Sequence, residues 1–148
     1  MPATLLDTNI LVYSYDLRDR RKQSRAVELL NALILGEQAV VSVQCLAEFF
    51  AIVTRRLPEP LAPRDALERA EHFARVCHVL ELGPAITLEG LRASVRYGLS
   101  PWDGLIWAAA KLNQVPYILT EDAEHGRVLE GVRYLNPFDP SFDARALA

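Results

Sequence analysis

Acidic side chains stand at the ends of two predicted strands. Asp7 closes the apolar run of LLDTN, and Glu121 and Asp122 follow the apolar run of YILTED. In an open α/β sheet, ligands bind beyond the carboxyl ends of the strands. If these two strands are neighbours, Asp7 and Asp122 face one crevice and could act together. The alternative for each acid is a helix N-cap, since Asp is favoured there.

Asp103 and Glu48 are two further acids, in different surroundings. Asp103 lies in the first turn of a predicted helix that Ser100 caps and Pro101 opens. A capping role would explain an acid there, but the helix is apolar nearly all round and places no Lys or Arg three or four positions on. An unpaired carboxylate in a buried position costs free energy unless a cation meets it. Glu48 falls opposite the apolar stripe of its own helix, so the residues alone favour a structural or surface position.

Carboxylates that converge in one crevice repel each other, so they bind protons or attract a divalent cation. Ligation by oxygen alone suits Mg²⁺ or Mn²⁺. The sequence has no Cys/His spacing for zinc, and we assign the scattered His72 and His78 to helix surfaces or packing. The residues therefore favour a hard-cation site over a zinc site.

The composition is that of a globular protein whose net charge gives no general attraction to nucleic acids or anionic membranes. The chain has 148 residues, 51% of them apolar and 24% charged, and a formal net charge of −3. This length predicts one domain over residues 1–148, with a core of 1–136 and a C-terminal tail of 137–148. The net charge excludes a protein that coats nucleic acid or anionic membranes by bulk charge, but it allows a local basic patch.

Cysteine usage and hydropathy predict a cytoplasmic protein without a membrane partner. Cys45 and Cys77 stand in apolar surroundings without a C-x-x-C spacing, which is typical of buried thiols in a reducing compartment. The first residues show no signal-peptide pattern. No apolar run approaches the roughly 20 residues that a membrane-spanning helix needs.

The elements that must position the acids follow from the alternation of short apolar runs with amphipathic stretches. This alternation predicts an α/β fold with a central, mostly parallel sheet flanked by helices. Strands are expected at residues 3–6, 39–43, 76–80 and 117–120, with a short edge strand at 133–135. Helices are expected at residues 9–15, 26–34, 46–57, 65–75, 87–97 and 100–113, the second of them stopped by Gly36.

Four segments together resemble the PIN-domain nucleases, and most closely the VapC-type toxins of bacterial toxin–antitoxin pairs. The segments are LLDTNILVY, SVQCLAEFF, SPWDGLIWAAAK and YILTEDAEHG, in this order and spacing. The resemblance covers essentially the whole chain, including the closing VRYLNPF. It implies a single PIN-like domain and a carboxylate active site.

The resemblance carries site roles to individual residues. The four family acids that it implies as catalytic are Asp7, Glu48, Asp103 and Asp122. Under this hypothesis Asp7 and Asp103 hold the metal, directly or through water, while Glu48, Asp122 and the less regular family acid Glu124 are secondary. Supporting polar positions match Asn9, Ser42 and Thr120. Many members continue after the fourth acid with an aromatic residue, whereas this chain has Glu124, His125 and Gly126, so Glu121, Asp122 and Glu124 compete for the inner position.

The implied activity is that of a Mg²⁺- or Mn²⁺-dependent endoribonuclease that leaves a 5′-phosphate. The implied partners are an RNA substrate, a cognate antitoxin protein and a second copy of the chain in a homodimer. An acidic site needs basic groups nearby to hold RNA. The segment RDRRKQSR supplies a basic cluster, for which a solvated charged face is the alternative interpretation. Its members are Arg18, Arg20, Arg21, Lys22 and Arg25.

Two other classes of function remain open on the residues alone. A phosphatase or phosphotransferase could use Asp7 as its nucleophile, but it would want a second acid at the position of Asn9. A receiver-type phosphorylation switch would want an adjacent acid pair near the first strand, which is missing. A non-enzymatic α/β interaction module, with the acids as caps and surface groups, is the third possibility.

Overall fold

The structure, a computed structural model, describes residues 2–147 and confirms the α/β fold. One six-stranded sheet is flanked by six helices. The strands are β1 (Thr4–Leu6), β2 (Ala39–Ser42), β3 (His78–Leu80), β4 (Tyr117–Leu119), β5 (Val128–Leu129) and β6 (Val132–Leu135). The helices are α1 (Thr8–Tyr13), α2 (Arg20–Leu35), α3 (Val43–Arg55), α4 (Pro63–Val76), α5 (Pro84–Tyr97) and α6 (Pro101–Leu112), followed by a short 3-10 helix (Ala144–Leu147).

The sheet order places β1 at the centre, between β2 and β4. The order is β3-β2-β1-β4-β6-β5, and every pair is parallel except β5 with β6. The chain first builds outward from β1 through β2 to β3, and then crosses to the other side of β1 to form β4. The direction of winding therefore reverses between β1 and β4. A crevice opens at such a reversal, beyond the carboxyl ends of the two strands.

Burial on both faces explains the apolar sequence of the central strands. Leu5 and Leu6 of β1 and Ile118 of β4 are fully buried, as expected where helices cover both faces of a parallel sheet. The largest buried side chains of the helices are Phe49 of α3 and Trp107 of α6. The core thus fixes the strand ends from which the acids project.

Helices α5 and α6 approach each other at two glycines. A Cβ atom added to Gly104 would lie 2.3 Å from the Gly90 carbonyl oxygen, which is far inside van der Waals contact. Only a residue without a side chain allows this approach. The contact matters for the site because Gly104 directly follows Asp103.

The structure corrects several expected elements. The strand at 133–135 is not an edge strand, because β6 pairs with β4 on one side and with β5 on the other. The missed edge strand β5 is only two residues long, too short for a periodicity signal, and it turns into β6 through Glu130 and Gly131, both at positive φ. Val43 belongs to α3 and Val76 to α4 rather than to strands. Both α4 and α5 start earlier than expected, since a proline opens each of them.

The C-terminal residues pack on the core. Phe142 and Leu147 are buried, and Gln38 donates a 2.5 Å hydrogen bond from its side-chain amide to the Leu147 carbonyl. Cys45 and Cys77 are buried free thiols, as predicted. Within residues 2–147, no helix is long and apolar enough to cross a membrane.

Candidate active site

Asp7 sits at the turn from β1 into α1 and is nearly buried, with 7% of its surface exposed. Its carboxylate accepts a 2.7 Å hydrogen bond from the Thr8 backbone N–H at Oδ1 and another of 2.7 Å from the Thr120 hydroxyl at Oδ2. Burial raises the pKa of Asp7 to about 6, although both hydrogen bonds favour the charged form. Asp7 is therefore both the N-cap of α1 and a carboxylate held in a fixed orientation.

Asp122 is tied to Asp7 through Thr120, at the end of β4. The Thr120 hydroxyl oxygen accepts from the Asp122 backbone N–H at 3.0 Å and from the Asn9 side-chain amide at 3.3 Å. The same Asn9 Nδ2 donates to Asp122 Oδ2 at 2.9 Å. Because β1 and β4 are neighbours, the two strand-end acids face one crevice, as the sequence predicted they would if the strands paired.

Asn9, which lines a cleft together with Asp7 and Asp122, also carries an acceptor without a partner within residues 2–147. Its Nδ2 faces a carboxylate, which can only accept when ionised, so the orientation of the amide is set. The opposite atom, Oδ1, is buried and has no hydrogen-bond partner among the described residues. A buried carbonyl oxygen without a donor is costly, and a cation or an ordered water would satisfy it.

Glu48 projects from α3 and is half-buried against α1. The Thr8 hydroxyl donates to Glu48 Oε2 at 2.7 Å, and the Gln44 amide donates to Oε1 at 2.7 Å. The local sequence allowed a structural or a surface position for Glu48, and these two contacts favour the structural one. The helical wheel correctly showed Glu48 off the main apolar stripe, but it could not show that α1 would cover that side.

Asp103 stands in the first turn of α6, where the Ser100 hydroxyl accepts from its backbone N–H at 3.1 Å. Partial desolvation raises the pKa of the Asp103 carboxyl, and the negative charges of Asp122 and Glu48 raise it further. The Ser100 cap and the opening Pro101 confirm the predicted start of this helix.

Two clefts meet at three of the acids. The first cleft, of about 270 Å³, is lined by Asp7, Asp103 and Asp122 together with Glu48 and Asn9. The second cleft, of about 140 Å³, shares the same three aspartates. The lining of the second cleft adds Thr120, Glu124, Arg127 and Tyr134. The acids thus converge at the reversal point of the sheet.

The donor set fits a hydrated Mg²⁺ or Mn²⁺ ion. Within residues 2–147, no three His, Cys, Asp or Glu side chains approach closely enough to hold an ion by direct contact alone. Mg²⁺ is commonly held by one or two carboxylates while it keeps several waters. Aspartates that line one cleft together with Asn9, without close mutual contact, are compatible with such hydrated binding.

The competing acids after β4 take different positions. Asp122 lines both clefts and Glu124 lines the second. Glu121 turns aside and forms a 2.7 Å ion pair with Lys22. Ser42, expected near the site, lines neither cleft: it caps α3, where its hydroxyl oxygen accepts from the Cys45 backbone N–H.

Three members of the predicted basic cluster are engaged within the protein. Arg18 lines the first cleft, but its guanidinium donates to both carboxylate oxygens of Asp16, with hydrogen bonds of 2.7–3.1 Å. Lys22 pairs with Glu121, and Arg25 donates to the Pro137 carbonyl at 3.2 Å. The two remaining members, Arg20 and Arg21, are exposed and form no ion pair among the described residues.

Several site residues escaped the sequence analysis. Thr8 and Gln44 orient Glu48, and Arg127 and Tyr134 line the second cleft. Gln44 stands four residues before Glu48, a spacing that brings side chains together on a helix. Tyr134 carried no local signal, because it reaches the cleft through the pairing of β6 with β4, and Arg127 directly precedes β5, which the sequence did not predict.

Comparisons with known proteins agree with this geometry. A sequence profile of the PIN domain matches residues 4–130. No curated protein sequence matches the chain significantly.

Among solved structures, the fold is similar to a chain of a toxin–antitoxin complex from Klebsiella pneumoniae, with a TM-score of 0.69, 19% identity, and coverage of 93% of this chain and 99% of that one. It is also similar to a chain of DNA-bound VapBC from Salmonella typhimurium, with a TM-score of 0.65, 20% identity, and coverage of 90% and 97%. A third similar structure is VapC20 of Mycobacterium tuberculosis, described as a sarcin-ricin loop cleaving toxin, with a TM-score of 0.62, 17% identity, and coverage of 78% and 87%. At these identities the solved structures establish the fold, and the profile match establishes the family. The resemblance in the sequence is thus confirmed: the chain belongs to the PIN domain family.

Proposed function

We propose that the chain is a metal-dependent endoribonuclease and the toxin component of a toxin–antitoxin pair. The observation that carries this proposal is the convergence of Asp7, Asp103 and Asp122 where the two clefts meet. Acids that converge where the winding direction of the sheet reverses are suited to phosphodiester hydrolysis assisted by a hard cation.

The proposed ligands of Mg²⁺ or Mn²⁺ are Asp7 and Asp103, directly or through water. Glu48, Asp122 and Glu124 take secondary positions around them, and the Asn9 carbonyl oxygen is available as a further acceptor. A bound divalent cation supplies Lewis-acid activation of water and neutralises charge on the phosphate.

The chain's own residues preorganise these acids. Thr120 and the Thr8 backbone N–H fix the Asp7 carboxylate, and Asn9 holds Asp122. The Thr8 hydroxyl holds Glu48 from the other side. These three acids are therefore restrained before substrate arrives, which reduces the reorganisation needed during the reaction.

RNA is the proposed substrate, and this is supported by the similar VapC20, which is described as a sarcin-ricin loop cleaving toxin. Basic groups must neutralise its phosphates beside an acidic site. Arg20 and Arg21 are free for this contact, and Arg127 lines the second cleft next to the acids.

The proposed activity is tested with a matched pair of Asp→Asn variants. Purified wild-type protein is expected to cleave RNA with Mn²⁺ and to stop when EDTA removes the ion. Asp7→Asn is expected to lose cleavage by at least about 100-fold, because the variant loses a charged ligand. Asp65→Asn, at an exposed position in the first turn of α4, serves as the control and should cleave normally.

Full Mn²⁺-dependent cleavage by Asp7→Asn would overturn the proposal. A trapped phospho-Asp7 adduct would instead support a phosphotransferase that uses Asp7 as its nucleophile. If Mn²⁺ gives no saturable thermal shift and no cleavage, the interaction-module interpretation is favoured.

The proposed partners are a cognate antitoxin and a second copy of the chain, with activity in the cytoplasm. Two of the similar solved structures are described as a toxin–antitoxin complex and as DNA-bound VapBC. Leu88 and Val95 leave apolar surface on α5, at 51% and 89% exposure, which is available to a protein partner. Light scattering of the purified protein tests the homodimer, and co-purification with a small protein encoded beside it tests the antitoxin.

A further inference from the structure

We propose that Lys22 is a positioning residue: by holding Glu121 outside the site, it fixes Asp122 at the meeting point of the clefts. The Lys22 cluster consists of Tyr13, Lys22, Glu121 and Phe138. This inference rests on the proposed function, because Asp122 is one of the acids of the proposed metal site.

The contacts of the cluster enclose the Lys22 ammonium. Its Nζ donates to Glu121 Oε2 at 2.7 Å and to the Tyr13 hydroxyl at 3.3 Å. It also lies 5.0 Å from the Tyr13 ring centroid and 5.3 Å from that of Phe138. The Tyr13 hydroxyl in turn donates to Glu121 Oε1, so both carboxylate oxygens of Glu121 are occupied. Only about a quarter of the Lys22 and Glu121 side-chain surfaces is exposed, at 26% and 25%.

The segment that carries Asp122 depends on side-chain contacts of this kind. Among the described residues, none of the backbone N–H groups of 121–125 donates to another backbone group. The segment has no helix or strand to hold it. Asp122 is restrained by Thr120 and Asn9 on the inner side, and its neighbour Glu121 is restrained by Lys22 and Tyr13 on the outer side. The two sets of contacts point successive acids in different directions and determine which of them faces the clefts.

The direction in which Lys22→Met changes Mn²⁺ affinity separates a positioning role of Lys22 from a purely electrostatic one. Lys22→Met removes a positive charge close to the acids, and charge alone would then strengthen the binding of a cation. Loss of positioning would instead weaken binding, because Asp122 would keep only its inner restraints from Thr120 and Asn9. Substitutions of groups that orient metal ligands typically lower metal affinity 10- to 100-fold. We therefore expect Lys22→Met to weaken Mn²⁺ binding by about tenfold in calorimetric titrations without RNA.

Lys111→Met is the matched control. Lys111 forms the same kind of contact at a site remote from the acids: its Nζ pairs with Glu130 at 3.1 Å and lies 4.9 Å from the Trp107 ring centroid. Its side chain is 26% exposed, the same fraction as that of Lys22. Lys111→Met should leave Mn²⁺ affinity unchanged, and Lys22→Arg, which keeps the charge, should retain most of it.

Amide hydrogen exchange provides a second readout that needs no metal. Exchange at the Asp122 amide, which donates to the Thr120 hydroxyl, should be faster in Lys22→Met than in wild type or Lys111→Met, because the outer restraint on the segment is lost. If the wild-type protein binds no Mn²⁺, the metal site of the proposed function is wrong, and faster exchange alone still supports the positioning role. Unchanged exchange at the Asp122 amide overturns the inference. Unchanged or tighter Mn²⁺ binding by Lys22→Met overturns it as well. In that case, a smaller salt dependence of RNA binding in Lys22→Met would show that Lys22 contacts the RNA substrate instead.

Discussion

At the scale of single residues, one side chain can both cap a helix and line the candidate active site, as Asp7 does. Asp7 caps α1 with Oδ1 and faces the clefts with a second oxygen that Thr120 orients. The sequence presented an N-cap and a functional acid as alternatives. The structure shows that a carboxylate has enough acceptor sites for both, because each of its two oxygens can serve a different partner.

The raised pKa of Asp7 predicts how stability depends on pH in the metal-free protein. The folded carboxyl titrates at about 6, against an ordinary value of 3.8 in the unfolded chain. Between these values the folded state keeps a proton that the unfolded state has lost, so the free energy of unfolding falls as pH rises from about 4 to about 6. The shift corresponds to a loss of about 3 kcal/mol above that window.

Asp7→Asn removes this dependence and should be more stable than wild type above pH 6 but not at pH 4. The measurement is urea unfolding in EDTA across this range, with Asp65→Asn as the control at an exposed position. A stability difference between Asp7→Asn and wild type that does not change with pH would contradict the predicted titration.

At the scale of elements, strand ends place two of the acids. β1 passes into α1 at Asp7, and β4 ends one residue before Thr120. α6 reaches its position through a different device, the close approach of Gly104 to Gly90 on α5. The location of Asp103 therefore depends on helix packing, whereas those of Asp7 and Asp122 depend on strand pairing.

Gly104→Ala is expected to lower both stability and activity. The added methyl group would collide with the Gly90 carbonyl, and overpacking of this kind typically costs about 1–3 kcal/mol. The separation of α5 and α6 would displace Asp103 and reduce Mn²⁺-dependent cleavage. Thermal unfolding and the cleavage assay measure the two effects.

Gly83→Ala is the matched control for this prediction, because an added Cβ there meets nothing within 4 Å. Equal stability of the two alanine variants would show that the helices can separate without loss.

At the scale of the whole molecule, charge is distributed unevenly. The net charge is −3, yet exposed Arg20 and Arg21 open α2, whose Lys22 contacts the segment after β4. The internal contacts of Arg18, Lys22 and Arg25 leave a smaller free basic surface than the sequence cluster suggested.

The double variant Arg20→Ala/Arg21→Ala should bind RNA more weakly and with a smaller salt dependence. Each phosphate contact to a single strand contributes about 0.7 to the slope of log affinity against log salt, so the slope should fall by about 1.4. Binding is measured in the Asp7→Asn background to prevent cleavage. Arg64→Ala/Arg75→Ala, on exposed positions of α4, should leave the slope unchanged, and an equal fall in both double variants would exclude a specific basic surface.

Much of the fold could be predicted from local sequence because its signals are local. Apolar runs marked β1, β2 and β4, and Ser100 with Pro101 marked the start of α6. The edge strand β5 was missed because two residues cannot show an alternating pattern. The local sequence left both a structural and a surface position open for Glu48, because the residue that holds it, Thr8 of α1, lies 40 positions earlier in the chain.

The sequence by itself determined which side chains were available for chemistry and that they belong to a PIN-like domain. Residue type, spacing and order are properties of the chain, and the family resemblance that they carry implied Asp7, Glu48, Asp103 and Asp122 as the set. Only the tertiary structure decided that β1 and β4 are neighbours, that Asp122 rather than Glu121 faces the clefts, and that Lys22 is engaged internally. The physical reason is that strand pairing and ion pairing join residues roughly a hundred positions apart, and such contacts leave no trace in a local window of sequence.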